Sequence, residues 1–124
     1  MKPRILIVDD DELVCDLYGD YFEQNGFEIS SALNVEAALN FIRKETPDII
    51  LSDVVMPYRD GFSLYEEVKM FYPDIPIVFM TGYENDPDIV NRLKKYGKKW
   101  FTKPIKLDEM LEIVRSELSA QTQA

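Results

Sequence analysis

The chain has 124 residues, which is the size of one domain and leaves no room for a second. Its 14 Lys and Arg against 23 Asp and Glu give a formal net charge of −9, which argues against nucleic acid or an anionic membrane as a direct ligand, because both are polyanions. Histidine is absent and there is one cysteine, so histidine-dependent catalytic triads, histidine-based zinc sites and an internal disulfide are excluded.

Short apolar runs predict five strands. Residues 5–8, 49–51 and 77–80 are mostly β-branched and do not alternate with polar residues, which is typical of strands buried on both faces of a parallel sheet. Residues 27–32 and 100–102 are weaker strand candidates. The first run is too short for a signal peptide or a membrane span, so we expect a cytoplasmic protein.

Stretches with helical periodicity separate these runs. The first predicted helix has Val14, Leu17 and Tyr21 on one face. The other four helices are predicted within residues 35–42, 62–71, 89–96 and 107–118. Five alternating β–α units predict an α/β domain with a parallel sheet. We assign residues 1–119 to this domain and residues 120–124 to a polar tail or the start of a linker.

Polar side chains follow four of the predicted strands. Because the carboxyl ends of parallel strands meet at one edge of the sheet, we expect a cluster of acidic groups, one hydroxyl and one amine in a single crevice there. These residues are Asp9, Asp10 and Asp11 after the first strand, Asp53 after the third, Thr81 after the fourth and Lys103 after the fifth.

Clustered carboxylates repel one another. Two of them about 5 Å apart repel by roughly 3 kcal/mol at an effective dielectric near 20, and three mutual pairs by about 10 kcal/mol. A hard divalent cation offsets this best, since Mg²⁺ takes carboxylates together with water and a phosphate oxygen. We therefore predict a site for magnesium (or manganese) suited to phosphoryl transfer, with Lys103 as a further positive charge. The alternative is that Asp11 and Glu12 stand in the first turn of a helix, where acidic groups oppose its dipole, and that Asp53 caps a turn.

Several segments together resemble the receiver domain of two-component response regulators. They are residues 5–10, residues 53–57 with Asp60-Gly61, Thr81-Gly82 and Lys103-Pro104, and the resemblance extends from Arg4 to about Leu118. It implies a flavodoxin-like, doubly wound sheet of five parallel strands in the order 2-1-3-4-5, with five helices. It also implies a phosphoacceptor signalling domain, which assists its own phosphorylation and dephosphorylation and is not otherwise an enzyme.

The resemblance implies a role for each residue of the crevice. Asp53 is expected to accept a phosphoryl group from the phosphohistidine of a sensor histidine kinase or phosphotransfer protein. Lys103 is expected to pair with Asp53 before phosphorylation and with the phosphoryl group afterwards. The Lys103–Pro104 peptide is expected to be cis. The expected metal ligands are Asp10, Asp53 and the backbone carbonyl of Val55, with Asp9 acting through a bound water.

The resemblance also implies a conformational switch. Thr81 is expected to donate its hydroxyl to a phosphoryl oxygen and move inward, and Trp100 to follow. The surface formed by the fourth helix, fifth strand and fifth helix would then change its conformation and so control a partner protein or output domain. Val55 and Tyr83 flank the path of the hydrolytic water and cannot orient it, so we predict slow autodephosphorylation.

Two other functions remain open at this point. Asp9-x-Asp11 fits the signature of haloacid-dehalogenase-type phosphohydrolases, in which Asp9 would be the covalent residue, although Leu13 stands where Thr or Val is usual. The chain is also short for the cap of such enzymes. The second alternative is a pseudo-receiver, a binding module that keeps the fold and works without phosphorylation.

Two surface features have alternative interpretations. Leu13 and Tyr18, beside the predicted core face of the first helix, either dock a helix of the kinase or belong to a wide core stripe. The lysines near Trp100 are typical of a solvated face, with a basic docking patch as the alternative. They are Lys94, Lys95, Lys98 and Lys99.

Overall fold

Strands and helices alternate along the chain in the computed structural model, which describes residues 2–83, 85–96 and 100–123. The strands are β1 (Arg4–Val8), β2 (Glu28–Ala32), β3 (Ile49–Asp53), β4 (Ile77–Thr81) and β5 (Trp100–Thr102). The helices are α1 (Glu12–Gln24), α2 (Val35–Lys44), α3 (Gly61–Phe71), α4 (Pro87–Tyr96) and α5 (Leu107–Gln123). The predicted series of five β–α units is confirmed.

The five strands form one parallel sheet in the order β2-β1-β3-β4-β5, as expected. The chain moves from β1 outward to β2 and then returns to the other side of β1 to form β3. Strand order therefore reverses between β1 and β3, where a doubly wound sheet opens a crevice at its carboxyl edge.

Each face of the sheet has its own apolar core. Along β1, Leu6 and Val8 enter the core that α2, α3 and α4 cover, whereas Ile5 and Ile7 enter the core under α1 and α5. This alternation follows from the two-residue period of a strand. Burial on both faces explains why the strand sequences are continuous apolar runs.

The buried face of α1 differs from the predicted one. Cys15, Tyr18 and Phe22 are buried, whereas Leu17, predicted for the core, is 58% exposed. Two apolar stripes run along this helix one residue apart, and periodicity alone does not distinguish them. Leu13 and Tyr18 were both candidates for docking a helix of the kinase. Tyr18 is buried, which fits the core-stripe interpretation, whereas Leu13 is 78% exposed and remains available for docking.

The last helix is longer than predicted. α5 continues to Gln123, past Leu118, where the periodic pattern ends. The residues after Leu118 are mostly polar in sequence, so the periodic pattern contains no signal for the extra turns. Lys98 and Lys99 of the possible basic patch lie outside the described residues. Among the described helices, none is long and apolar enough to cross a membrane.

Candidate functional site

The predicted site residues meet at the carboxyl edge of the sheet. Asp53 and Thr81 are the last residues of β3 and β4, and Asp9 directly follows β1. In the β4–β5 register Thr81 lies opposite Thr102, which places Lys103 one residue beyond the pair. The strand registers thus bring residues far apart in sequence to one crevice.

Three carboxylates form a cluster that suits a divalent cation. Asp9, Asp10 and Asp53 each offer one oxygen, and these atoms all lie within 4.8 Å of one another. Asp9 is completely buried, Asp53 is 7% exposed and Asp10 is exposed. A set of oxygen donors that is buried at one side and open at the other matches Mg²⁺, which keeps part of its water shell when bound.

Lys103 bridges the two buried carboxylates. Its Nζ lies 2.7 Å from Oδ2 of Asp9 and 3.3 Å from Oδ2 of Asp53. The Lys103–Pro104 peptide is cis, as expected. Lys103 contacts Asp53, as the resemblance implies, and contacts Asp9 more closely, so the lysine is shared between both acids.

Burial and charge shift the pKa values of this group. Burial raises the pKa of Asp53 to about 6 from its ordinary 3.8, and Asp9 adds to the rise while Lys103 opposes it. Burial lowers the pKa of Lys103, but the hydrogen bond to Asp9 and the charge of Asp53 outweigh it, and the net shift is upward. The lysine therefore stays charged, whereas Asp53 keeps a strong affinity for positive charge.

Backbone amides orient the acidic side chains. The amide of Asp11 donates to Oδ1 of Asp9 at 2.9 Å, and the amide of Val54 donates to Oδ1 of Asp53 at 2.9 Å. Asp11 itself accepts from Leu13 N at 3.0 Å and caps α1. Asp11 and Glu12 therefore belong to the start of α1, as the alternative expects, and the acidic cluster consists of Asp9, Asp10 and Asp53.

Thr81 is held with its proton free to donate. Its side chain is completely buried, and Oγ1 accepts a hydrogen bond from Tyr83 N at 2.9 Å. Its carbonyl accepts from Lys103 N at 2.7 Å, which ties the end of β4 to the residue that carries the bridging amine. The hydroxyl hydrogen remains available for an oxygen in the crevice.

The segment between β3 and α3 folds tightly against the acceptor candidate. Gly61 N donates to Val54 O at 2.7 Å, and Asp60 caps α3 by accepting from Ser63 N at 2.8 Å. A side chain at Gly61 would collide with the carbonyl oxygen of Asp53. The Asp60-Gly61 pair is thus explained by a helix cap and a close backbone approach.

The rim of the crevice is partly apolar and aromatic. Val55 is 39% exposed and Tyr83 51% exposed, and they follow Asp53 and Thr81, respectively, by two residues. Trp100 is half-buried against the core on the α2-α3-α4 side of the sheet. The residues predicted to control hydrolysis and switching therefore border two different surfaces, the crevice and the sheet face.

One neighbour of the site comes from α1. Tyr18 projects from α1 into the core, where burial raises its pKa, while Lys103 lowers it and Asp9 and Asp53 raise it. The phenol is therefore within electrostatic reach of the crevice. The sequence analysis treated Tyr18 as a docking or core residue and gave it no part in the electrostatics of the site.

Comparison with known proteins identifies the arrangement. A family model described as the response regulator receiver domain matches residues 5–115. The chain belongs to this family. The match includes all the residues of the crevice, from Asp9 to Lys103. The sequence resemblance and the flavodoxin-like fold are both confirmed.

Three relatives of this receiver domain are similar along nearly their whole length. It is 32% identical over 119 residues to sporulation initiation phosphotransferase F of Bacillus subtilis, covering 95% of both chains. A CheY-like receiver domain from Methanospirillum hungatei is 28% identical with a TM-score of 0.90, covering 99% of this chain and 98% of that one. The response regulator TrrA of Thermotoga maritima, solved with Mg²⁺ and BeF, is 27% identical with a TM-score of 0.82, covering 94% and 99%.

Proposed function

We propose that this receiver domain is a phosphorylation-activated switch in which Asp53 accepts a phosphoryl group from a phosphohistidine in a Mg²⁺-dependent reaction. The observation that carries the proposal is the convergence of Asp9, Asp10 and Asp53 on one crevice, with Lys103 bridging two of them. A structural role alone does not require three neighbouring carboxylates, because their repulsion opposes folding.

Asp53 has the properties of a nucleophile in this crevice. With a pKa of about 6 it is mostly ionised at neutral pH, yet more basic than an ordinary aspartate. An Oδ atom attacks the phosphorus, the P–N bond of the phosphohistidine breaks, and the electron pair of that bond goes to the imidazole nitrogen. The Nζ atom of Lys103 already contacts the carboxylates of Asp9 and Asp53. We expect it to shift from them to the transferred phosphoryl group.

The acidic cluster is the proposed metal site. Asp9, Asp10, Asp53 and the backbone carbonyl of Val55 would hold Mg²⁺, or Mn²⁺ in its place, and the first three provide the oxygen donors that the structure brings together. When bound, the ion supplies positive charge against the cluster and the phosphoryl oxygens. TrrA, solved with Mg²⁺ and BeF, supports this assignment by relationship.

Phosphorylation would change the conformation through Thr81 and Trp100. A phosphoryl group adds about −1.5 to −2 charges and three acceptor oxygens at Asp53. The Thr81 hydroxyl gains a partner only when its loop closes on the phosphoryl group, so closure is favoured. Inward movement of Thr81 would let Trp100 follow and alter the face of α4, β5 and α5 for a partner or output domain.

The rim predicts how long the switch stays on. Val55 and Tyr83 stand at the edge of the crevice, and neither has a carboxylate or amide that could orient a water molecule for in-line attack. We expect autodephosphorylation that is slow, so that a partner rather than bulk water removes the phosphoryl group.

The partners of the proposed reaction follow from its chemistry. The donor would be a sensor histidine kinase or a phosphotransfer protein, and the relative named as a phosphotransferase supports a relay of this kind. A cytoplasmic location belongs to the same proposal. Direct binding to nucleic acid or a membrane is not part of it, because the chain is strongly acidic.

The phosphohydrolase alternative is less well supported. Asp9, its nucleophile, is completely buried, and its two oxygens already accept from Lys103 and from the amide of Asp11. Asp53 is 7% exposed, and its oxygens accept in the same way, from Lys103 and from the amide of Val54, so only the complete burial of Asp9 counts against the phosphohydrolase. A pseudo-receiver would keep this geometry without reacting, so only a test of phosphorylation distinguishes it from the proposed switch.

Mapping of the modified aspartate tests the proposal. The protein is incubated with acetyl phosphate and Mg²⁺, the acyl phosphate is trapped by borohydride reduction, and peptides are sequenced by mass spectrometry. We expect the label on Asp53, no label in Asp53→Asn, and no label in EDTA. Label on Asp9 would support the phosphohydrolase, and no label on any aspartate would support the pseudo-receiver.

A further inference from the structure

A strained turn lies between the acceptor and α3. Arg59 N donates to Pro57 O at 2.9 Å, which closes a three-residue turn with Tyr58 at its centre. Tyr58 has a φ of 71°, a conformation that is unfavourable for a residue with a Cβ atom. Its side chain is fully exposed, so packing of the ring does not offset the strain. Other contacts must hold the turn closed.

Arg59, the residue directly after the strained one, makes those contacts with every nitrogen of its guanidinium. Nε donates to Ser63 Oγ at 2.9 Å, Nη1 donates to Glu36 at 2.7 Å, and Nη2 donates to Glu67 at 2.9 Å. We call this group of four residues the Arg59 clasp. It joins the loop to the first turn of α2 and to two turns of α3, so the loop is fastened to two helices at once.

We propose that Arg59 is a positioning residue for metal binding at the neighbouring crevice. The inference rests on the proposed function, in which the carbonyl of Val55, three residues before Tyr58, is a ligand of Mg²⁺. Because the clasp fixes the end of the strained turn, it limits the conformations of residues 55–58 and keeps that carbonyl in place. Without the clasp the turn relaxes and the ligand set loses one member.

Charge and position predict opposite effects of removing Arg59. A cation near the site repels Mg²⁺, so replacing Arg59 by a neutral residue would strengthen binding if only charge mattered. Loss of a fixed ligand would weaken it. Groups that orient metal ligands are typically worth 10- to 100-fold in affinity, and Arg59 acts through a short stretch of backbone, so we expect about a tenfold loss.

Calorimetric titration of the full chain with MgCl₂ measures this directly, without phosphorylation. We expect Arg59→Met to raise the dissociation constant about tenfold and Arg59→Lys to raise it by less, since lysine keeps the charge but not the fork of donors. Arg43→Met is the matched control, because Arg43 contacts Glu67 at 4.0 Å and Asn40 from α2 without touching the loop. Circular dichroism confirms that each variant is folded.

Relief of the strain provides a second readout. Glycine adopts a positive φ readily, so Tyr58→Gly removes the strain that opens the turn but does not fix the turn, and adding this change to Arg59→Met should restore part of the lost affinity. Unchanged or tighter binding by Arg59→Met would overturn the inference, as would a loss that Tyr58→Gly does not restore. If Asp53 of the wild type is phosphorylated normally while these results fail, the proposed function stands and the inference alone is wrong.

Discussion

The two loops that border the crevice are held in different ways. The β3–α3 loop is fixed by the Gly61–Val54 backbone bond and the Arg59 clasp, and it leads into α3, which buries Gly61 and three apolar residues. The β4–α4 loop is described except for residue 84, and it leads into α4, where Leu93 is the one buried residue of the described helix. One border of the site is packed and the other is lightly attached.

This difference matches the two tasks of the proposed switch. The packed side carries Asp53 and the backbone next to it, which must keep their geometry for metal binding and phosphoryl transfer. The lightly attached side carries Thr81, which must move when a phosphoryl group is present. Segments with few buried contacts open and close at low free energy, so the movable element is drawn from the less stable border.

Paired glycine substitutions should give the largest contrast. Gly61→Ala would drive a methyl group into the carbonyl of Asp53, and we expect a loss of about 3 kcal/mol in the free energy of unfolding. Gly82 on the other loop has nothing within 4 Å of an added Cβ and serves as the control, with a change within about 0.5 kcal/mol. Urea denaturation measures both, and equal losses would contradict the comparison.

Asp53→Asn should stabilise the metal-free protein. The pKa of Asp53 is raised to about 6, so its ionised form opposes folding above that pH, and the penalty disappears as the pH falls toward the ordinary value of 3.8. A rise of two pKa units corresponds to about 3 kcal/mol, and water entering the crevice reduces the expected gain to about 2 kcal/mol at pH 7.5. Denaturation in EDTA at pH 7.5 and 4.5 checks this. A gain that does not shrink at the lower pH would show that burial of the charge is not its cause.

The lifetime of the phosphorylated protein should depend on the movable border. In Tyr83→Asn an amide replaces the phenol and can orient water, so we expect hydrolysis to accelerate about tenfold. Phe71→Asn, an aromatic-to-amide change at the exposed C-terminal end of α3, is the matched control and should leave the rate unchanged. Loss of phosphoprotein after removal of the donor, followed by intact mass, measures the rates. A wild-type half-life of seconds would contradict the prediction of slow hydrolysis.

Arg92→Met should have the smallest effect on stability. Arg92 joins α4 to the fixed border through Asp60 at 3.4 Å and lies over the ring of Phe62 at 4.3 Å. Both groups of the ion pair are partly exposed, so we expect a loss of about 0.5 kcal/mol. A loss several times larger in urea denaturation would mean that α4 is more firmly attached than its single buried residue indicates.

Sequence patterns predicted the strands and the site more reliably than the helix faces. Apolar runs such as residues 49–51 have one interpretation, because both faces of a central parallel strand are buried. The site residues were predictable since strand ends must meet at one edge. The core face of α1 was not, because Leu17 and Tyr18 offer two adjacent stripes and tertiary packing selects one.

Contacts between distant side chains were beyond prediction from sequence. Arg59 looked like an ordinary loop residue, and nothing in its neighbourhood in the chain indicates that Glu36 of α2 approaches it. The sharing of Lys103 between Asp9 and Asp53 also depends on distances of a few tenths of an ångström. Such details arise from the packing of whole elements, which local patterns do not encode.

Amide hydrogen exchange before and after phosphorylation tests the central claim most directly, namely that a fixed border holds Asp53 while a movable border responds to it. Wild type and Asp53→Asn are compared with acetyl phosphate and Mg²⁺. We predict that exchange slows in residues 81–87 of the wild type, changes little in residues 54–60, and is unaffected in the variant. Unchanged exchange in residues 81–87, or a response confined to residues 54–60, would contradict the account.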